Sequence, residues 1–376
     1  MRLLLFENPK HAIMKSRTSP FQPTQRLKEE RMRAAIMEQH GGPEVVRIAD
    51  VPTPEPGPGE VRVRVRASAL NHLDLWVLKG LPGLPPSFPH VSGCDVAGVV
   101  ESLGEGVEGW EIGERVLINP TLSCGECEWC AHGEDSLCDH FAIIGEHRWG
   151  GLAEYIVVPA RNLHRIPDHL SFEEAAAIPL VFATAWRMLM TQAAIRPGEI
   201  VLILGAGGGV NSAAIQIARA AGCRVWATTS SDEKMERARA LGAEFVVNYR
   251  ENEQWAKEIW QRSGKKGVHV VVDNVGQATW SDSIRLLRKG GRLVTVGATT
   301  GPKGETDIRY VFWRQLKIIG STMSSRGEFL DLMRLVEMGV LKPVIDRILP
   351  LDRIQEALTI LDRGEQFGKI VIRIPE

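Results

Sequence analysis

The chain has 376 residues, of which 44% are apolar and 24% charged, and its formal net charge is −1. This length suits two domains, and the composition is that of an ordinary globular protein. Because the charges balance and no apolar run approaches about 18 residues, we expect neither nucleic acid nor a membrane as a partner. The apolar run Leu3 to Phe6 is too short for a signal peptide, which predicts a cytoplasmic protein.

Residues 1–31 differ from the rest in having scattered charge, prolines and no sustained periodicity, whereas Met32 opens a segment that behaves like the start of a domain. We interpret them as a disordered extension or an over-long start assignment, with a partner-binding tail as the alternative.

The following segment predicts an irregular β domain. Glu60 to Ala67, EVRVRVRA, alternates valine with arginine, which is typical of an antiparallel strand with one face in solvent rather than of a basic nucleic-acid patch. Further short strands are predicted at Ala97 to Ser102 and Arg115 to Ile118, between glycines.

Four of the six cysteines lie within fifteen residues of this domain, at Cys124, Cys127, Cys130 and Cys138. The spacing C-x2-C-x2-C-x7-C lets thiolates point inward from one loop, which suits a tetrahedral zinc ion. Disulfides and an iron–sulfur cluster are the alternatives. A site of four thiolates has no open position for substrate, so a zinc ion here is predicted to be structural.

The stretch from Glu199 to Ala218, EIVLILGAGGGVNSAAIQIA, predicts a strand, a glycine turn and a helix. Such a turn lets phosphate oxygens approach the backbone at a helix N-terminus. The turn comprises Gly205, Ala206, Gly207, Gly208, Gly209 and Val210, and the last glycine of the usual motif falls on Val210 or Asn211.

Strands and helices alternate after this turn. Strands are predicted at Cys223 to Thr228, Phe245 to Val247, Val268 to Asp273 and Arg292 to Val296, with a helix from Asp232 to Leu241. This alternation indicates a parallel sheet covered on both faces. Together with the glycine turn, it predicts a dinucleotide-binding domain.

The two halves together resemble the zinc-containing alcohol dehydrogenase family of the medium-chain dehydrogenase/reductase superfamily. The resemblance runs from about Met32 to the C-terminus and includes NHLDLW (71–76), GCDVAGVV (93–100), GGLAEY (150–155) and GKIV (368–371). It implies an α/β fold in which a Rossmann-type cofactor domain, 183–320, is inserted into a GroES-like β-barrel catalytic domain, 32–182, with 321–376 returning to that domain. It also implies a cleft between the domains for nicotinamide and substrate, a zinc lobe at about 120–140, and a homodimer or homotetramer.

The sequence departs from this family at the catalytic zinc. Where the family has Cys before His, this chain has Asn71 and His72, and the family's Gly-His-Glu is Gly93-Cys94-Asp95. The third ligand falls near Phe182. Cys94 and Asp95 are then the remaining donors, too few for a catalytic site unless His72 or His147 completes an unusual set. Cys94 is equally compatible with a small buried residue.

If the catalytic zinc is absent, the site resembles those of the zinc-free family members, which are quinone and enal reductases. Hydride transfer to a quinone or conjugated enone needs hydrogen-bond donors at the developing oxyanion. Asn71, His72 and Asp74 are the candidate donors and relays, unless they only fix a loop, and His147 is a relay, a ligand or a structural histidine. The alternatives are a zinc-dependent alcohol dehydrogenase with an unusual metal site and a non-catalytic dinucleotide sensor.

Cofactor choice is predicted from the end of the second strand of the α/β domain. The position of the ribose-binding acidic residue is Thr229, which is neutral. Ser230, Ser231, Lys234, Tyr249 and Arg250 lie where NADPH-using relatives contact phosphate, so NADP(H) is favoured over NAD(H), with Asp232 as the counter-argument. The nicotinamide side is predicted to be lined by strand-end residues, namely Asn274, Val275, Gly297, Ala298 and Thr299.

Overall fold

The computed structural model describes residues 30–81 and 87–375. The predicted N-terminal extension, 1–31, lies outside these residues except for Glu30 and Arg31. The first strand already includes Arg31.

The first part of the chain forms a β domain. Its strands are β1 (Arg31–Met37), β2 (Arg47–Pro52), β3 (Glu60–Ala69), β4 (His90–Val91), β5 (Asp95–Leu103), β6 (Arg115–Ile118), β7 (Thr121–Leu122), β8 (Ala142–Ile143), β9 (Tyr155–Pro159) and β10 (Leu163–Arg165). Its helices are α1 (His72–Lys79), α2 (Glu128–Ala131) and α3 (Phe172–Ala176).

The chain then enters a parallel sheet through α4 (Pro179–Trp186) and a π-helical turn, Arg187–Gln192. The strands of the sheet are β11 (Ile200–Ile203), β12 (Arg224–Thr229), β13 (Phe245–Asn248), β14 (Val268–Asp273), β15 (Leu287–Thr295) and β16 (Lys317–Gly320). The helices between them are α5 (Gly209–Ala220), α6 (Asp232–Leu241), α7 (Trp255–Arg262), α8 (Trp280–Leu286) and α9 (Ile308–Arg314).

The strand order of this sheet is β13-β12-β11-β14-β15-β16, that of a Rossmann-type domain. Its strands are apolar runs because both faces are covered: Val201 and Ile203 pack into one core, and Ile200 and Leu202 into another. The order reverses between β11 and β14, which leaves a crevice at the carboxyl ends of the strands.

The last segment returns to the β domain. It consists of α10 (Arg326–Glu337), β17 (Ile345–Pro350), α11 (Ile354–Asp362) and β18 (Lys369–Arg373). Strand β18 pairs antiparallel with β3, so the larger β sheet has the order β10-β6-β5-β3-β18-β17, with β9 also on β3. This return places Lys369 beside the cleft.

Strand β3 is less exposed than the alternation of valine and arginine predicts. Arg64 is exposed, but Arg62 is buried, with Nε 2.6 Å from Glu101 Oε2 and Nη1 2.8 Å from Glu55 Oε1. The strand therefore has one face only partly in solvent, because the acidic side chains of Glu101 and Glu55, from outside the strand, cover Arg62.

Candidate active site

A cleft of about 750 Å³ lies at the carboxyl ends of the parallel strands, facing the β domain. Most of the residues predicted to bind a cofactor line it: Gly205, Gly207, Gly208, Gly209, Val210, Thr229, Ser230, Lys234, Tyr249, Asn274, Val275, Gly297 and Thr299. Ala206 and Ala298 are not among the lining residues. Ala206 is fully buried, and its backbone N–H donates to the Thr228 carbonyl at 2.8 Å.

The glycine turn is held open by an asparagine. Gly205 has a φ of 78°, and its carbonyl and that of Leu204 accept hydrogen bonds from Asn211 Nδ2 at 2.7 and 2.6 Å. Asn274 Nδ2 in turn donates to Asn211 Oδ1 at 3.0 Å. Asn211 therefore joins the glycine turn to the end of β14.

The first residue of α5, Gly209, lines the cleft, and no larger residue would fit at its position. A Cβ on Gly209 would lie 2.9 Å from Val181 Cγ1 and 3.0 Å from Lys369 Cδ. Among the described residues, no side chain caps this helix start. Unpaired N–H groups at a helix N-terminus bind anions, so the turn fits the pyrophosphate of a dinucleotide.

The end of β12 carries neutral and basic side chains. Thr229 is buried and Ser230 lines the cleft beside Lys234, whose Nζ donates to the Gly364 carbonyl at 2.7 Å. Burial lowers the pKa of Lys234. Asp232 points to the neighbouring strand, where its Oδ1 accepts from Asn248 Nδ2 at 3.2 Å.

The opposite end of the cleft is formed by Asn274, Val275, Gly297 and Thr299, after β14 and β15. Gly297 has a φ of 72°, and a Cβ there would lie 2.8 Å from Trp76 Cη2. Trp76 belongs to α1 of the β domain, so the two domains meet at this glycine. The end of the cleft predicted to hold the nicotinamide thus lies within reach of α1.

Four of the five predicted catalytic residues lie in one buried polar cluster with a lysine. Asn71 Nδ2 lies 3.2 Å from Cys94 Sγ and donates to Asp95 Oδ2 at 2.9 Å. Lys369 Nζ donates to Asn71 Oδ1 at 2.5 Å and to Asp95 Oδ2 at 2.8 Å. The orientation of the Asn71 amide is therefore determined, because its oxygen must face the lysine donor and its NH2 group the carboxylate acceptor.

Asp74 is the fourth member, and it supports the loops rather than the cleft. Its carboxylate accepts the backbone N–H groups of Asn71 at 2.7 Å and Gly93 at 2.9 Å. Burial raises the pKa of Asp74 to about 6 and raises the pKa of the Cys94 thiol well above its usual value. Neither residue, nor Asp95, is among those that line the cleft.

His72, the fifth predicted residue, lines the cleft beside Asn71 and Lys369. Its ring lies edge-on to that of Trp76, with centroids 5.6 Å apart. Burial lowers the pKa of His72, which favours a neutral imidazole at pH 7. A neutral imidazole can donate one hydrogen bond into the cleft.

Three residues that line the cleft, Lys369, Glu146 and His147, were not identified as site residues from the sequence or were given several alternative roles. Lys369 was noted only as part of the GKIV motif. A lysine at the start of a buried apolar strand indicates that its charge is paired with a carboxylate. Glu146 was not considered, and its neighbour His147 was left as a relay, a ligand or a structural residue. Both line the cleft.

The four predicted metal ligands come together. The sulfur atoms of Cys124, Cys127, Cys130 and Cys138 lie within 4.8 Å of one another, with Cys124 Sγ 3.9 Å from Cys130 Sγ and 3.5 Å from Cys138 Sγ. A tetrahedral zinc ion with bonds of about 2.3 Å separates its sulfurs by about 3.8 Å. These sulfur–sulfur distances fit a bound zinc ion, and they are much longer than a disulfide bond, which is about 2.0 Å.

The thiols of this cluster differ in acidity. Backbone N–H contacts lower the pKa of Cys124 to about 6, whereas burial raises the pKa of Cys130 to about 12. Across residues 30–81 and 87–375, the cluster is the one group of three or more His, Cys, Asp and Glu side chains close enough to share a metal ion. In the same part of the chain, no helix is long and apolar enough to cross a membrane.

Two family models match the chain. The alcohol dehydrogenase GroES-like domain matches residues 57–168, and the zinc-binding dehydrogenase model matches 209–338. The fold class predicted from the sequence is thereby confirmed. The zinc-binding family and the four-cysteine cluster together support a structural zinc site.

Known relatives cover nearly the whole chain. A crystal structure of an NAD-dependent alcohol dehydrogenase is 50% identical, with a TM-score of 0.88 over 92% of this chain and 100% of that one. Acryloyl-coenzyme A reductase of Sulfurisphaera tokodaii is 32% identical over 87% of this chain and 96% of its own. Quinone oxidoreductase of Homo sapiens is 31% identical over 91% of this chain and 97% of its own. The chain belongs to the zinc-containing alcohol dehydrogenase family of the medium-chain dehydrogenase/reductase superfamily, and it is an oxidoreductase enzyme.

Proposed function

We propose that the protein is an NAD(P)H-dependent reductase that transfers hydride to a quinone, a conjugated enone or another carbonyl compound, with zinc in a structural role only. The observation that carries this proposal is the amide of Asn71. It stands where the family has its first catalytic zinc ligand, and its hydrogen bonds go to Cys94, Asp95 and Lys369.

The cluster does not fit a second zinc ion. Asp95 is fully buried and already pairs with the Lys369 ammonium, whose side chain is 3% exposed. A divalent cation at this position would face that ammonium directly, and repulsion between buried like charges is strong. Cys94 offers a thiol whose pKa is raised by burial, which disfavours the thiolate that zinc requires.

Without such a metal, the site is better suited to reduction of activated acceptors than to oxidation of plain alcohols. The bound cofactor would supply the hydride. His72 is proposed to donate a hydrogen bond to the oxygen on which negative charge develops. Leu70, Trp76 and Phe141 line the cleft and suit an apolar acceptor. The names of two relatives, a quinone oxidoreductase and an acryloyl-coenzyme A reductase, agree with these substrate classes.

We place the dinucleotide on the glycine turn, with its ribose at Thr229 and Ser230, and we favour NADP(H) over NAD(H). Lys234 and Tyr249 support this choice, because a cation and a hydroxyl beside neutral residues suit a 2′-phosphate. Asp232 and the NAD-dependent relative argue for NAD(H). The test is kcat/KM for both cofactors with Lys234→Met. We expect a loss of about tenfold or more with NADPH and little change with NADH, and a wild-type preference for NADH of a hundredfold would reverse the assignment.

The rival function is an alcohol dehydrogenase whose remaining donors recruit a catalytic zinc, as the family names suggest. Elemental analysis of purified protein, together with turnover of aliphatic alcohols, quinones and enones, separates the two. We expect one zinc per chain and turnover of quinones or enones. Two zincs per chain with turnover confined to alcohols would refute the proposal, and tight dinucleotide binding without any turnover would indicate a sensor.

We further propose that the enzyme acts in the cytoplasm as a homodimer or homotetramer. Strand β16 ends the parallel sheet with β15 as its partner. Beside it, Ile308, Phe312 and Trp313 of α9 are 72%, 63% and 76% exposed. Exposed apolar side chains next to a sheet edge are typical of a protein interface.

A further inference from the structure

Glu146 is an acidic residue of the cleft to which the proposed function gives no role. Its side chain is 10% exposed and lines the same cleft as Asn71 and His72. Among the described residues, its carboxyl group makes no hydrogen bond, and its one ion-pair neighbour is His147, with Nδ1 3.8 Å from Oε2. A carboxylate so placed lacks the partners that usually stabilise buried charge, which favours the protonated acid.

His147 does not serve as that missing partner. Its Nδ1 accepts the backbone N–H of Ile143 at 3.1 Å, so the neutral ring carries its proton on Nε2. Burial raises the pKa of Glu146, and this effect outweighs the opposing influence of the neighbouring His147. Phe141 and Ile143, which shortly precede Glu146 in the chain, also line the cleft and make its wall near the acid apolar.

We propose that the Glu146 carboxyl group is the proton donor to the α-carbon of a conjugated enone, a step that rests on the proposed reductase function. Addition of a hydride at the β-carbon brings both electrons, and the electron pair of the carbon–carbon double bond moves to give an enolate. The α-carbon then forms a bond to the proton that leaves the Glu146 oxygen. Glu146 becomes a carboxylate and regains a proton from water at the mouth of the cleft.

Reduction of a quinone provides the internal comparison. In that reaction both protons end on oxygen, where solvent can deliver them, so no placed carbon acid is needed. Glu146→Gln should therefore lower kcat for 2-methylcyclohex-2-enone by about 10²-fold or more, the usual contribution of a general acid, and leave kcat for 1,4-benzoquinone within about threefold. In deuterium oxide, the wild type should deuterate one face of the α-carbon, and the variant should lose this preference.

Two further variants and one spectrum complete the test. Glu146→Asp keeps the acid and should recover part of the enone activity, while Glu108→Gln makes the same change at an exposed position and should alter nothing. Infrared difference spectra of the free wild type against Glu146→Gln should show a carboxyl band that titrates above the ordinary value of 4.5.

The outcomes are distinct. If the wild type reduces enones and Glu146→Gln keeps both rate and facial preference, or if the carboxyl band titrates at or below the ordinary value, this inference is wrong and the proposed function stands. If the wild type reduces quinones but no enone, the inference fails together with the enone part of the function. If it reduces neither these nor any other carbonyl compound, the proposed function itself fails.

Discussion

The buried pair of Lys369 and Asp95 gives the sharpest test of the cluster beneath the cleft. Their side chains are 3% and 0% exposed, and Nζ lies 2.8 Å from Oδ2. Lys369→Met preserves much of the length of the lysine side chain. It leaves Asp95, among the described residues, with hydrogen bonds only from Asn71 Nδ2 and the Leu180 N–H. Removing one partner of a buried ion pair costs about 3–5 kcal/mol, because the remaining charge is uncompensated.

The double variant Lys369→Met with Asp95→Asn removes both charges, so it should be more stable than Lys369→Met alone. Equilibrium urea unfolding followed by tryptophan fluorescence gives both free energies of unfolding, in the zinc-loaded protein without cofactor. Lys303→Met, at an exposed position, is the control for the chemical change and should lie within about 0.5 kcal/mol of the wild type. A loss below about 1 kcal/mol in Lys369→Met, or a double variant no better than the single one, would refute the pairing described here.

Three further predictions concern other parts of the molecule. Cys124→Ser should reduce bound zinc, measured by elemental analysis, from one per chain to well below one, and should lower the melting temperature. Trp313→Glu should shift the protein to monomer in sedimentation analysis, since it places a charge at the proposed interface; unchanged mass would count against that interface. Burial raises the pKa of Asp74 from 3.8 to about 6, so its contribution to stability is full below pH 4 and is lost as the pH rises through 6. Relative to Asp74→Asn, the wild type should lose up to about 3 kcal/mol over that range in urea unfolding, and parallel pH profiles would contradict this.

The parallel sheet could be predicted because its determinants are local. Strands buried on both faces must be apolar runs, as in Val268 to Asp273, which is strand β14 without change of bounds. Helix α6 likewise begins and ends where the sequence predicts, because Ser231 caps its start and Gly242, with a φ of 114°, ends it. These signals lie within a few residues of the structure that they determine.

The polar cluster could be predicted only in part, because its members come from three distant segments. Asn71, Asp74, Cys94 and Asp95 lie in two motifs that the family resemblance singled out. Lys369 is 274 residues from Asp95, its partner, and the pairing of β3 with both β18 and β5 brings them together. The burial of Arg62 was missed for the same reason, since no local pattern shows which carboxylates will cover it.

The zinc lobe acts beyond its own loop, because it is tied to the junction through which the chain enters the cofactor domain. Arg187, 3% exposed, donates to Glu134 of the lobe at 2.7 Å and to Glu328 of α10 at 2.8 Å. Asp135 of the lobe accepts the backbone N–H of Arg326 at 2.8 Å. A buried guanidinium needs both carboxylates, so order in the lobe supports the contact between α10 and the turn after α4. Because α4 also contributes Leu180, Val181 and Thr184 to the wall of the cleft, a zinc ion in the lobe would also influence the shape of the cleft.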